Sequence, residues 1–364
     1  MVTEQDVLRV LSTVKDPEIH RDLVSLGMIK DLRIEGSNVS FEVVLTTPAC
    51  PLKGQIEHDC RLALSAIPGI GQIALRWGAS VAAPRGVMDR GGIPGVKNTV
   101  AVASGKGGVG KSTVSVNLAV ALAETGAKVG LLDADVYGPS IPLMMGIHRL
   151  PEIDGAERII PLEAHGIKLM SLGFMLPDHS APVIWRGPML AKALTQFLRD
   201  VAWGELDYLL IDLPPGTGDA QLTLSQSLQL SGVVIVMTPQ DVAMTIASRV
   251  LVMFRQMKVP ILGIVENMSG FVCPSCHKET QIFSHGGGRK ASERQEVPFL
   301  GEIPLDGDLC EGGDDGRPIL VRNPGSPVAE IFRRVAGSLA GRISVEAIRS
   351  QGGFGQPLPI INIR

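Results

Sequence analysis

The sequence predicts an α/β fold: a doubly wound, mostly parallel sheet covered by helices, preceded by a small α+β domain. Three observations carry this. From residue 99 onward, short and nearly continuous apolar runs alternate with helical segments, the pattern of parallel strands buried on both faces. Before residue 80 the chain holds a separate, smaller mixture of helical stripes and alternating strands. Between the two, residues 81–97 carry Pro84, Gly86, Gly91, Gly92, Pro94 and Gly95, a run that reads as a linker. A length of 364 residues accommodates two or three domains. The expected division is 1–80 for the α+β domain, 81–97 for the linker, 98–350 for the α/β domain and 351–364 for a loosely structured tail.

The elements follow in order. Val7, Leu8, Leu11 and Val14 recur at helical spacing over residues 4–14. Residues 39–45 alternate and are rich in strand formers. Leu52, Ile56, Cys60, Leu64 and Ile67 form a second helical stripe, and 73–77 reads as a short strand. Past the linker, 99–103 is an apolar strand, 112–124 is helical, and Gly126 fits the position just past a helix end. Residues 128–132 form the next strand, and the later apolar runs are 208–211, 233–237 and 261–265. The tail holds three glycines and two prolines and shows no amphipathic anchoring pattern.

Composition narrows the function classes. Hydrophobic residues make up 45% and charged residues 20%, enough for a sizeable core without disulfides. A formal net charge of -3 argues against non-specific binding to nucleic acid or anionic membrane, both of which need a basic field. No stretch reaches about 18 consecutive apolar residues, so no membrane helix is expected. The acidic start, Met1 to Asp6, lacks a basic region followed by an apolar one, so no secretory signal is expected. Five cysteines, an odd count, point to a reducing, cytoplasmic setting and to thiols with chemical roles.

The residues Gly105-Lys106-Gly107-Gly108-Val109-Gly110-Lys111-Ser112 match G-x-x-x-x-G-K-[ST], between an expected strand and an expected helix. In such a P-loop the glycines let the backbone wrap around phosphates, while its N–H groups and the helix N-terminus bind the anion. Lys111 is placed to reach the β- and γ-phosphates of ATP, and Ser112 to ligate Mg²⁺. Lys106, inside the loop, is either a solvated lysine or a charge presented to phosphates on another subunit, as an arginine finger is. Asp133 and Asp135 follow the second strand of this domain. Asp135 is a candidate to orient the attacking water, whereas Asp133 is equally explained as a capping or ion-paired carboxylate. Asp212 ends the run 208–211 and can hold Mg²⁺. Carboxylates at the carboxyl ends of parallel strands fall where α/β proteins bind ligands.

These motifs resemble a known group. Lys106 to Thr113, Asp133-Ala134-Asp135 and Asp212-Leu213-Pro214-Pro215-Gly216 are similar to the deviant Walker A ATPases, which include MinD, ParA and the nitrogenase iron protein. The resemblance implies a doubly wound P-loop NTPase fold and a nucleotide-sandwich homodimer. It also implies that Lys106 reaches the partner's nucleotide, that Asp135 activates water and that Asn267 reads adenine. Asp135-Val136-Tyr137-Gly138-Pro139-Ser140, Trp185-Arg186-Gly187-Pro188, Thr238-Pro239-Gln240-Asp241, Glu266-Asn267-Met268-Ser269 and Cys273-Pro274-Ser275-Cys276 resemble the Mrp/NBP35 (ApbC-like) iron–sulfur cluster carriers. The N-terminal module, with Thr46-Thr47-Pro48-Ala49-Cys50-Pro51, resembles the MIP18 (DUF59) domain. The implied function is an ATPase that delivers a cluster to apo iron–sulfur proteins. Other readings are a MinD- or ParA-like positioning switch, an electron donor like the nitrogenase iron protein, and a zinc-stapled scaffold.

The cysteines sharpen this. Cys273 and Cys276 form one C-x₂-C pair, two soft thiolates where a cluster or structural zinc needs four. No second pair exists in the chain, and a two-fold dimer supplies the other half. The resemblance implies a bridging [4Fe-4S] cluster, with zinc as competitor because four thiolates suit both. A redox dithiol is disfavoured because the pair opens no thioredoxin-like helix. His277 and His285 read as loop residues, not ligands. Cys50 precedes Pro51, a favoured first helical residue, so it is expected at a helix N-cap, where the dipole lowers a thiol pKa. It is then either a reactive, cluster-handling thiol, as the MIP18 resemblance implies, or a plain capping-position residue. Cys60 sits on an apolar stripe and reads as core, and Cys310 has no partner spacing. The Trp185 motif is explained equally as dimer surface or structural turn, and Met144, Met145, Met170 and Met175 receive no cofactor role.

Overall fold

The computed structural model describes residues 2–84, 92–135, 138–175, 198–218, 221, 222, 225, 228–276 and 278–350, with the side chains of 241–246 excepted. Part of the expected linker (85–91), Val136, Tyr137, the Trp185 motif, His277 and the tail 351–364 lie outside the described residues. The described chain divides into two compact units.

The first unit takes residues 2–82 and the end of the last helix from Ala340. It opens with α1 (Glu4–Leu11), where the Thr3 hydroxyl accepts the Asp6 N–H at 3.2 Å and so caps the helix. Strands β1 (Ile29–Glu35) and β2 (Asn38–Leu45) follow, then α2 (Lys53–Ser65) and β3 (Ile73–Ala79). The sheet order is β1-β2-β3, with β2 antiparallel to β1 and parallel to β3. Alternation buries Val39, Phe41, Val43 and Leu45 on one face of β2. Helical spacing brings Val7 and Leu11 of α1, and Ile56, Cys60 and Leu64 of α2, into the same core. β1 has no counterpart in the expected elements. Asp31 has φ 47° and the pairing with β2 slips between Lys30 and Arg33. This bulge breaks the alternation that marks a strand in sequence.

The second unit begins with β4 (Val96–Ser104), α3 (Lys111–Glu124), β5 (Val129–Asp133) and α4 (Ile141–Met144). Next come β6 (Leu162–Ala164), β7 (Ile167–Ser171), β8 (Leu206–Asp212), β9 (Gly232–Met237) and α5 (Asp241–Gln256). The unit continues through β10 (Ile261–Val272), β11 (Glu279–Thr280), α6 (Gly287–Gln295), β12 (Phe299–Leu305), α7 (Gly307–Asp314), α8 (Ile319–Arg322) and, up to Leu339, α9 (Pro327–Ser350). The sheet order is β11-β10-β9-β4-β8-β5-β7-β6, with β12 also paired to β10. All pairs are parallel except β6 with β7 and β10 with β11. This is the mostly parallel α/β sheet the sequence predicts. Its central strands are buried nearly throughout, with Leu209, Ile211 and Val233 each 0% exposed, as is Phe254 of α5. Each such burial contributes about 1.5–3 kcal/mol. Gly126, with φ 92°, follows the last residues of α3 as expected. Among the described residues no helix is long and apolar enough to cross a membrane.

β10 is much longer than the expected 261–265. Met268 sits at φ 60° and the pairing with β12 shifts between Asn267 and Phe271, yet the strand resumes and runs to Val272. The continuation carries the chain from the middle of the sheet edge to Cys273.

Candidate functional site

β4 lies centrally, between β8 and β9, and its carboxyl end delivers the chain into the P-loop. Gly108 (φ 74°) and Gly110 (φ 78°) take left-handed conformations, which a side chain makes costly. At Gly110 there is also no room: a Cβ would lie 2.2 Å from Nδ2 of Asn267. Gly110 is the N-cap of α3 and provides no capping side chain, so the first N–H groups of α3 stay available to an anion. Gly105 and Lys106 are half-buried, Gly107 and Gly108 exposed, and Val109 buried. The Lys106 carbonyl accepts the Ser104 hydroxyl at 3.0 Å. Thr113 lies in the first turn of α3, and its carbonyl accepts from Asn117 at 2.9 Å.

Asp212, at the end of β8 and wholly buried, is the hub. Its Oδ2 accepts from Lys111 Nζ at 2.5 Å and from the Ser112 hydroxyl at 2.6 Å. Oδ1 accepts from Ser115 at 2.6 Å. Lys111 is only 6% exposed, so this is a buried ion pair with its remaining lone pairs satisfied. Ser115 was not singled out from the sequence. Its signal was present: four residues after Lys111, it shares a helix face with that lysine.

Asp133 and Asp212 are register partners on β5 and β8. Burial, then the neighbouring Asp212 charge, pushes the Asp133 carboxyl up to about 8. Asp133 accepts the N–H groups of Asp135 at 3.1 Å and Ile141 at 3.3 Å, and the Ser171 hydroxyl at 3.2 Å. It therefore ties down both ends of the segment between β5 and α4. Asp135 is half-buried at the start of that segment. Asn267 reaches the P-loop from β10, and its amide donates to the Val109 carbonyl at 2.9 Å. The structure thus brings Lys111, Ser112, Asp212, Asn267 and the loop glycines into one contact network, with Asp135 linked to it through Asp133.

Cys273 and Cys276 lie elsewhere in this unit, in the turn between β10 and β11. The Cys273 N–H donates to the Lys278 carbonyl at 3.1 Å and closes the turn. Cys273 is half-buried and Cys276 exposed. Backbone N–H groups of Cys276 and Ser275 face the Cys273 sulfur and hold its thiol below the usual range, which favours the thiolate. Cys310 is exposed and Cys60 is core.

Cys50 is not at a helix N-cap. α2 starts at Lys53 and is capped at Leu52, so the chain turns through Cys50 and Pro51 before the helix begins. Burial first, with Glu18 and Asp16 adding repulsion, pushes the Cys50 thiol up to about 12 instead of down.

Comparison with known proteins agrees with these features. Residues 95–340 match the family model described as NUBPL iron-transfer P-loop NTPase. Residues 4–75 match the model of an iron-sulfur cluster assembly protein. An iron-sulfur cluster carrier protein of Deinococcus radiodurans is 51% identical over 356 residues, 98% of this chain and 99% of that one. Among solved structures, a nucleotide-binding protein from Archaeoglobus fulgidus in complex with ADP shares 42% identity. It superposes with TM-score 0.58 over 68% of this chain and 95% of its own. The cell division ATPase MinD of Pyrococcus furiosus superposes with TM-score 0.52 at 23% identity, over 66% and 97% of the two chains, a likeness of fold alone. With the P-loop network and the cysteine turn in place, and a relative matched almost end to end, this chain belongs to the NUBPL family of iron-transfer P-loop NTPases.

Proposed function

We propose that this chain is a cytoplasmic, ATP-hydrolysing iron–sulfur cluster carrier that holds a [4Fe-4S] cluster between two copies of itself and passes it to apo iron–sulfur proteins. The observation that carries the reading is the Cys273/Cys276 turn, with a lowered Cys273 thiol, at the end of the strand whose Asn267 touches the P-loop. The carrier relative and the ADP-bound neighbour support cargo and nucleotide respectively. The division 1–80, 81–97, 98–350 and 351–364 is proposed as the order of domains along the sequence, with the end of the last helix, from Ala340, belonging to the first compact unit.

In this reading the P-loop N–H groups and the α3 N-terminus bind the phosphates. Lys111 leaves Asp212 for the β- and γ-phosphate oxygens. Ser112 and Asp212, already in contact, offer two oxygen ligands that fit Mg²⁺, which when bound neutralises phosphate charge. Asp135 orients the attacking water, and Lys106 reaches the nucleotide of the second copy to offset transition-state charge. Asn267 exchanges its Val109 contact for the adenine. Two thiolates from each copy complete a four-thiolate set for the cargo. Cys50 stays a protonated thiol as long as it is buried beside Glu18 and Asp16.

The test is anaerobic reconstitution with iron and sulfide, beside the Cys273→Ala/Cys276→Ala variant. About four irons and four sulfides per dimer are expected, and none in the variant. Tightly held zinc that resists exchange overturns the carrier reading in favour of a zinc-stapled scaffold, and no cluster in either protein overturns it in favour of an ATP-controlled switch.

A further inference from the structure

A second group of ligating side chains lies on β10, before the cysteine turn, at its pairing with β12. Glu266 on β10 and Glu302 on β12 are register partners on parallel strands. Two carboxylates side by side repel, and a positive charge between them relieves the repulsion. Glu266 is 0% exposed. Its Oε1 accepts the Gly286 N–H at 3.1 Å, and its Oε2 accepts the Gly288 N–H. Those bonds fix the carboxylate and leave each oxygen a further lone pair. A Cβ at Gly288 would lie 2.8 Å from the Glu266 Cβ and 3.0 Å from Oε2, so glycine is what lets this loop close on the carboxylate.

His285 supplies the third group. Its Nδ1 lies 3.3 Å from the Ser269 carbonyl oxygen. A carbonyl only accepts, so this contact requires the proton on Nδ1. In the neutral ring that leaves Nε2 with its lone pair free. Nε2 faces Glu302 Oε2 at 3.8 Å, too far for a hydrogen bond. One ligand atom from each of Glu266, His285 and Glu302 lies within 4.8 Å of the others. An imidazole fixed by Nδ1–H on a backbone carbonyl, with Nε2 turned toward carboxylate oxygens, is how a metal-ligating histidine is held. Among the described residues, neither glutamate makes an ion pair with a lysine or arginine. His285 and Glu302 are each 40% exposed, so an ion can enter between them and keep water ligands. Glu302 also lines a cavity of about 160 Å³ with Arg289 and Arg334.

We propose that Glu266, His285 and Glu302 bind one first-row divalent cation, separate from the Cys273/Cys276 thiolates. One imidazole and two carboxylates suit Zn²⁺, Fe²⁺ or Mn²⁺ and carry two negative charges against its two positive ones. The site links β10, β12 and the loop ahead of α6. Its Glu266 lies seven residues before Cys273, which directly follows β10, at most about 23 Å away at strand rise. The cation pins the strand that presents the cysteine turn. This does not depend on what the cysteines carry.

The experiment is a Co²⁺ titration of the nucleotide-free full chain with Cys273→Ser and Cys276→Ser. One Co²⁺ per chain is expected, with visible d–d absorption and no thiolate-to-metal charge-transfer band. Competition by Zn²⁺, Fe²⁺ and Mn²⁺ then ranks the natural candidates. His285→Ala and Glu302→Gln, added singly, each weaken binding at least about tenfold. Both side chains are part-exposed, so the variants fold. Co²⁺ raises the melting temperature of the parent and not of the variants. Absence of stoichiometric Co²⁺ binding, or binding that neither substitution weakens, overturns the site.

Discussion

At the level of single residues, the two thiols with the most informative surroundings differ in opposite directions. Cys273 faces backbone N–H groups that favour its thiolate, whereas Cys50 is walled in beside Glu18 and Asp16. With a pKa of about 12, only about one Cys50 in ten thousand is thiolate at pH 8. In metal-free, reduced protein, iodoacetamide is therefore expected to label Cys273 with a pH midpoint below the ordinary thiol range. Cys50 should stay unlabelled at pH 8 until the chain is denatured. Peptide mass spectrometry across pH 6–9 reads both, and native labelling of Cys50 ahead of Cys273 contradicts the assignment. The sequence showed the C-x₂-C pair and the P-loop because each is a fixed local spacing. It misplaced Cys50 because Pro51 is compatible with a helix start, and only tertiary packing delays α2 to Lys53. Ser115 and the buried environment of Asp212 needed the folded sheet to be seen.

Elements explain more than residues about how the site is assembled. The carboxyl ends of β4, β5 and β8 converge on the P-loop, which a strand-order argument anticipates. β10 adds the part that sequence did not resolve. Its apolar run stops at Val265, so pattern alone ends the strand there, while pairing with β12 carries it on past the left-handed Met268. β1 was hidden for the converse reason, a bulge that scrambles alternation. The contact between β10 and the P-loop depends on a missing side chain. Gly110→Ala combines a positive φ with a Cβ inside the Asn267 amide. It should destabilise the second unit by about 1–3 kcal/mol and lower nucleotide affinity by at least tenfold. Calorimetric titration with ADP and thermal melting check this. Unchanged affinity shows that Asn267 can withdraw without disturbing the loop.

On the scale of the whole molecule, the first unit is assembled from both ends of the chain, residues 2–82 with those from Ala340 onward. No local pattern announces such an association, since a helix running to Ser350 looks the same in sequence whatever covers its last turns. Its cost is visible at Glu18. A Cβ on Gly341 would lie 2.1 Å from Glu18 Oε1, so any side chain at residue 341 would make this carboxyl shift. Burial, then repulsion from Asp16, pushes the Glu18 carboxyl from 4.5 up to about 7, with Arg342 pulling it partly back. The sign follows from proton linkage. Between pH 4.5 and 7 the folded state keeps a proton that the unfolded chain releases. Stability from this group is therefore fully present below pH 4.5 and lost as the pH rises through 7. A shift of this size corresponds to about 3 kcal/mol. Glu18→Gln keeps the shape, removes the titration and should flatten the slope. The variant's first unit should be more stable than the parent's by up to about 3 kcal/mol at pH 8, and little different at pH 4.5. Urea-dependent hydrogen exchange in β2 reads the first unit separately from the second. Equal slopes in parent and variant across pH 4.5–8 would mean that Arg342 holds Glu18 ionised throughout and that the last helix is bound by an ion pair instead of a buried acid.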